Sequence, residues 1–289
     1  MPESPRLAEQ LTPVDDRQVQ LTRRWLQPNL VLIESELLRL REQVDPSLER
    51  QYPAQGEKAY PIGRCLEISQ AVYRLLQQGI QRPQNPAQQL IRQFVAEGGV
   101  ARRVWGALRE SYFQNAFQFG TLYVDVANDT VDPAKPKVEI LPLSESGFCN
   151  IRDFEHFQAV AGRYWQCEVY ANHLLPTLSP LFPLLIHYPA TGRLSVETRI
   201  DYMLRLNMHS GFRLAQSWLA SGGHQQSGLP SETAAPLLRR AVELGIEIDE
   251  QGDGAALDCC RQYRDQRRDI DTGFLQQLLE QRNRLMQLD

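Results

Sequence analysis

The sequence has no run of 18 or more apolar residues, so no membrane-spanning helix is expected and no membrane is counted among its partners. Met1-Pro2-Glu3-Ser4-Pro5 has neither the basic nor the apolar region of a secretory leader, so a cytosolic location is expected. Positive charge is not in excess either: 31 Lys and Arg stand against 35 Asp and Glu, and lysine is scarce. A net charge of -4 offers no basic field for nucleic acid or anionic lipid, and nucleic acid is not expected as a partner. The densest basic spots, Arg102-Arg103 and Arg267-Arg268, read as solvated helix faces. The five cysteines, Cys65, Cys149, Cys167, Cys259 and Cys260, are odd in number and irregular in spacing, which fits neither a disulfide framework nor a CxxC zinc pattern. The adjacent Cys259-Cys260 reads as reduced thiols in a helical segment. GxxxxGK[ST], HExxH, GxSxG and the kinase motifs are all missing, so no cofactor and no metal are expected.

What is present is a chain with enough apolar side chains, 42%, to build a core, and a mean hydropathy of -0.41 suited to water. Helical patterning fills its first part. Thr12-Pro13-Val14-Asp15 looks like a helix start, Leu30 to Val44 repeats the pattern, and Asp45-Pro46 opens a short third helix. The segment from Gln51 to Gly63 reads as a loop. From Cys65 to Gln78 the residues Ile68, Val72, Leu75 and Leu76 share one face, with Gly79 as the expected C-terminal cap. Asn85-Pro86 starts another helix that stops at Gly98-Gly99, and Val100 to Leu108 is expected to add a short one. Strand character follows at Ser111 to Phe119, Leu122 to Ala127 and Lys137 to Pro142, with Arg163 to Tyr170 and Leu181 to Tyr188 expected to extend the sheet. Helices return at Ile200 to Leu219, with a break at Gly211, then at Ser231 to Leu244 and Asp271 to Leu288. Ser221 to Pro230 reads as a linker. Helices, then strands, then helices predict an α+β fold with an antiparallel sheet. Three parts are expected: a helical segment 1–57, a cysteine-helix plus sheet core 58–220, and a helical segment 221–289.

Two features carry chemistry. Cys65 stands where the loop Tyr60-Pro61-Ile62-Gly63-Arg64 enters a helix, and a helix N-terminus favours the thiolate that makes cysteine a nucleophile. Free cysteine is also a common small core residue, so position alone does not decide. Downstream, a two-residue turn at Gly120-Thr121 would pair Phe119 with Leu122. Gln114 and Asp125 then project from one face as diagonal neighbours, which lets the carboxylate orient the side chain at 114. Asp125, Asn128, Asp129 and Asp132 otherwise read as a solvated polar turn. Trp105, Trp165 and Trp218 read as core residues.

The stretch from Tyr60 to Pro142 resembles the transglutaminase-like and papain-like cysteine-nucleophile superfamily, in which a helix-start Cys is followed by His on one strand and Asp or Asn on the next. The resemblance implies that Cys65 is the nucleophile and Asp125 the orienting acid. It puts Gln114 where the family has its histidine, and an amide takes no proton near neutral pH. The five histidines, His156, His173, His187, His209 and His224, all lie after the hairpin. His187, in Leu184-Leu185-Ile186-His187-Tyr188, is an alternative base if its strand lies beside the site. The expected function is a cysteine-nucleophile hydrolase or acyltransferase acting on an amide, ester or thioester bond, with a peptide, protein or acyl substrate. The alternative is a catalytically inactive relative that serves as a peptide- or protein-binding module. The oligomeric state is left open.

Overall fold

The computed structural model describes residues 7–54, 59–197, 201–222, 228–252 and 254–287. The fold is α+β, and the chain divides into two compact units. One is Ala8–Asn150; the other is Ile151–Asp289 with the N-terminal residues to Leu7. These divisions differ from the expected ones near 57 and 220, because the N-terminal helices share a core with the cysteine helix and its sheet.

In the first unit, Asp15 caps α1 (Asp16–Leu21) by accepting from the Gln18 N–H, rather than the expected start at Thr12. A π-helical turn, Thr22–Leu26, and a 3-10 turn, Gln27–Asn29, lead into α2 (Leu30–Gln51). The third helix expected at Asp45-Pro46 does not form. Pro46 is exposed inside α2, and Ile33, Leu37, Leu40, Val44 and Leu48 keep one buried stripe across it. Burial of that stripe outweighs the missing N–H of proline.

Helix α3 (Cys65–Gln81) buries Ile68, Val72 and Leu76. It runs past Gly79, which serves close approach rather than capping: a Cβ there would stand 2.5 Å from the Gln88 amide nitrogen. Helix α4 (Pro86–Ala96) has Pro86 in its first turn and Asn85 as cap, accepting from Gln88 N–H at 2.9 Å. Asn85 also donates to the buried Glu36 at 3.0 Å. Asn85→Ala is therefore expected to cost about 1–2 kcal/mol, the upper part of the range for a lost cap, in urea unfolding.

The sheet of this unit has the order β4-β3-β2-β1-β5 and is antiparallel throughout. Its strands are β1 (Ala101–Leu108), β2 (Tyr112–Phe119), β3 (Leu122–Asp125), β4 (Glu139–Pro142) and β5 (Phe148–Cys149), with a single helical turn, α5 (Leu143–Ser146), before the last. β1 replaces the helix expected over Val100 to Leu108. A short mixed run fits either period, and here it pairs with β2 along its whole length, from Ala101↔Phe119 to Leu108↔Tyr112. Arg102 and Arg103 accordingly lie on a strand. The hairpin forms as expected, with Phe119↔Leu122, Gln118↔Tyr123 and Phe117↔Val124. Phe117, Phe119, Leu122 and Val124 pack with α2, α3 and α4, whereas Ala116 and Tyr123 pack with Val104, Leu108 and Phe148. The period of two thus gives the sheet two apolar faces.

The second unit holds its own three-stranded antiparallel sheet, β6 (Glu168–Ala171), β7 (Leu184–Tyr188) and β8 (Arg193–Val196), so the strands near 168 and 184 do not extend the first sheet. Residues Arg163 to Trp165 end a helix, α6 (Phe154–Trp165), instead of opening a strand. Helices α7 (Asp201–His209) and α8 (Arg213–Ser221) are separated at Gly211, where φ is +60°, as the sequence predicts. Then come α9 (Ser231–Glu243), α10 (Ala255–Asp265), which carries Cys259 and Cys260 as free thiols, and α11 (Thr272–Met286). Half of the expected linker, 223–227 with His224, lies outside the described residues. Trp218 is fully buried, and its Nε1 donates to the Pro183 carbonyl.

Candidate active site

Cys65 is the first residue of α3 and is half-buried, but its surroundings do not make it a ready thiolate. Burial pushes the thiol pKa above its ordinary value; hydrogen bonds from the Asn115 side chain and backbone pull it down; the charges of Asp125 and Glu67 push it up again. The net direction is upward, opposite to the helix-start expectation. Magnitudes explain why: a helix dipole contributes about 0.3–1 kcal/mol, whereas desolvation can shift a buried group by about 3–5 pH units. Arg64 does not reverse this, because its guanidinium bonds Glu67 at 3.2 Å and stacks 4.5 Å over the Tyr52 ring.

The side chain that meets the sulfur is Asn115, whose Nδ2 donates to Cys65 Sγ at 3.5 Å. Alternation along β2 puts Asn115 in the row of Phe113, Phe117 and Phe119, the row whose last two rings pack on the helices. Gln114 and Asp125 belong to the other row, with Ala116 and Tyr123. The structure brings these two together as the hairpin predicts: Gln114 Nε2 donates to Asp125 Oδ2 at 2.6 Å and to the Ala127 carbonyl at 3.2 Å. It does not bring Cys65 into hydrogen bonding with either.

Asp125 is fully buried and accepts two further bonds, from Tyr123 Oη at 2.9 Å and from the Ala127 N–H at 2.7 Å. Burial raises its pKa to about 6, against the lowering effect of the bonds from Gln114, Ala127 and Tyr123. Tyr123 in turn is pushed well above the usual phenol range by burial and by the Asp125 charge.

The solvated turn expected after Asp125 is only partly such: Asp132 is exposed, but Asn128, Asp129 and Thr130 are buried. Asp129 takes both arms of Arg41, at 2.9 and 3.1 Å, and Arg41 also donates to the Val126 carbonyl at 2.7 Å. Arg41 Nε reaches Asp45 at 2.5 Å, and Asp45 accepts from Tyr60 at 2.5 Å and Lys137 at 2.6 Å. The Gly63 N–H donates to the Thr130 carbonyl at 2.9 Å. One buried ion-pair network therefore ties α2 to the corner 126–130, and that corner to the loop in front of Cys65.

His187 lies in β7 of the other unit, where its Nδ1 is 2.8 Å from Glu168 Oε2. Asn115 is the site residue that sequence reasoning missed. Its signal was its setting, a polar residue in a row of three phenylalanines on the face toward the cysteine helix. Compared with known proteins, the chain matches no family model, no curated protein and no solved structure.

Proposed function

We propose that the chain is a peptide- or protein-binding module built on a framework like that of the cysteine hydrolases, without their working nucleophile. The observation that carries the reading is the partner of Cys65. An amide at 3.5 Å accepts no proton near neutral pH, and a positioned base is worth about 10²–10⁴-fold in rate. Gln114, which stands at the family's histidine position, is committed to Asp125 and Ala127. The setting also suits an apolar ligand: Leu66 in the first turn of α3 is 44% exposed, and Val131, next to the carbonyl that bonds Gly63, is 37% exposed.

One observation favours the second reading, a hydrolase or acyltransferase attacking an amide, ester or thioester through Cys65. Asn115 donates its side-chain N–H to the sulfur at 3.5 Å, a contact that lowers the thiol pKa and so favours negative charge there. Alkylation of the native protein separates the two, with the Cys65 peptide followed by mass spectrometry across pH. The binding reading expects slow modification that rises only above the free-thiol value of about 8.5. A thiolate titrating below that value would overturn it, as would an acyl-transfer activity lost in Cys65→Ala.

A further inference from the structure

Gln114 is buried, and its Oε1 has no hydrogen-bond partner although Nε2 makes two bonds. The amide orientation is fixed by Asp125, which as a carboxylate can only accept. Asp125 needs donors, so Gln114 presents N–H to it and leaves its own oxygen stranded. A stranded buried acceptor next to a buried carboxylate is a costly ground state, and one proton relieves it.

We propose that Gln114 and Asp125 form a proton-operated latch: when the Asp125 carboxyl takes a proton from solvent, the Gln114 amide turns over, Oε1 accepts from the new Asp125 hydroxyl, and Nε2 releases the Ala127 carbonyl. That carbonyl keeps its bonds from Thr130 Oγ1 at 2.7 Å and Thr130 N at 3.1 Å, so release leaves it satisfied. Gly106, the cross-strand partner of Gln114, brings no side chain of its own beside the amide. What the latch holds is the corner 126–130, which also carries Arg41 and the loop before Cys65.

The ionisable groups that act on Asp125 or on its partner Tyr123 come from β2, β3, β4 and the cysteine helix, Tyr112 on β2 acting on Tyr123. Tyr123 precedes Asp125 on β3, Glu139 opposes it on β4, and Cys65 stands at the start of α3. Glu139 is itself bridged to Arg109 at 3.1 Å. Its charge pushes the Asp125 pKa up, in the same direction as burial, so the proton binds near pH 6 rather than at the ordinary carboxylate value. The sign follows: the folded form holds this proton where the unfolded form has lost it. The stability it adds is complete below pH ~4 and disappears as pH rises through about 6.

The test is the side-chain amide resonance of Gln114 in the full chain labelled with ¹⁵N-glutamine, assigned by its loss in Gln114→Leu. It is expected to move between two limiting positions with a midpoint at about 6, and to stay fixed in Asp125→Asn. A resonance that does not move between pH ~4.5 and ~7.5 would sink the latch, as would an identical titration in Asp125→Asn. Tyr123→Phe guards against a misfolded Asp125 variant. Removing the hydroxyl takes away a bond that lowers the Asp125 pKa, so the midpoint should rise; an unmoved midpoint overturns the assignment. The latch does not depend on the binding reading, and Cys65 alkylation tests that reading separately.

Discussion

Arg41→Ala should destabilise the unit Ala8–Asn150 by about 3–5 kcal/mol in urea unfolding, the cost of breaking a buried ion pair from one side. The guanidinium is fully buried on α2, with Asp129, Asp45 and the Val126 carbonyl around it. Burial alone would lower its pKa, but the bonds and charges of Asp129 and Asp45 hold it above the ordinary value. Alanine would leave the buried Asp129 carboxylate with no cation and would empty the space of a long side chain. Arg41→Met combined with Asp129→Leu should recover most of the loss, because an apolar pair of similar volume removes both charges together. A single-variant cost below about 1 kcal/mol would mean that the pair is solvated and does not pin the corner.

The same network has its own pH signature. Burial pushes the Asp45 pKa up, but bonds from Lys137, Tyr60 and Arg41 bring it below the ordinary value. Its contribution is present above the unfolded value of about 4 and is lost as pH falls through the depressed one. Asp125 slopes the other way, losing its contribution as pH rises through about 6. The two carboxylates therefore act in adjacent windows, Asp125 above pH ~4 and Asp45 below it, and Arg41→Ala should weaken the Asp45 slope, which Lys137 and Tyr60 still support, while leaving the Asp125 slope in place.

The pairing of Gln114 with Asp125 was legible because it is local: a two-residue turn fixes the register, and register with a period of two fixes which side chains meet. Cys65 and its partner are fifty positions apart. Their meeting depends on how α3 seats on the sheet, and no spacing in the sequence encodes that. The superfamily resemblance pointed to Gln114, and the contact fell on Asn115. One step along a strand reverses the face, so this error separates the thiol from the carboxylate that was expected to serve it. The corner after Asp125 was misread for a related reason. Asn128, Asp129 and Thr130 have the composition of a surface turn, and the buried partner of Asp129 is Arg41, from a helix far earlier in the chain. The sequence therefore revealed the elements that close on themselves and missed the contacts between them.

Gly106→Ala carries the other large expected effect, and its sign tests the strand assignment that the sequence missed. Were Val100 to Leu108 a helix, replacing glycine with alanine would stabilise it by about 0.5–1 kcal/mol. On β1 the added Cβ would stand 2.1 Å from the Cys149 carbonyl oxygen and 3.0 Å from Phe148 Cζ. The phenylalanine ring can turn aside, but the carbonyl is backbone, held where β5 pairs Cys149 with Ala107 and Phe148 with Leu108. Either β5 must leave the sheet or β1 must shift, and with it Gln114 opposite Gly106. The expected loss is about 3 kcal/mol, at the top of the usual cost of overpacking, because what gives way is main chain. Thermal unfolding measures it, and hydrogen exchange locates it: the Ala107, Arg109 and Cys149 amides, on the side of β1 that pairs with β5, should lose protection first. A neutral or stabilising Gly106→Ala would contradict the closure of β5 over β1.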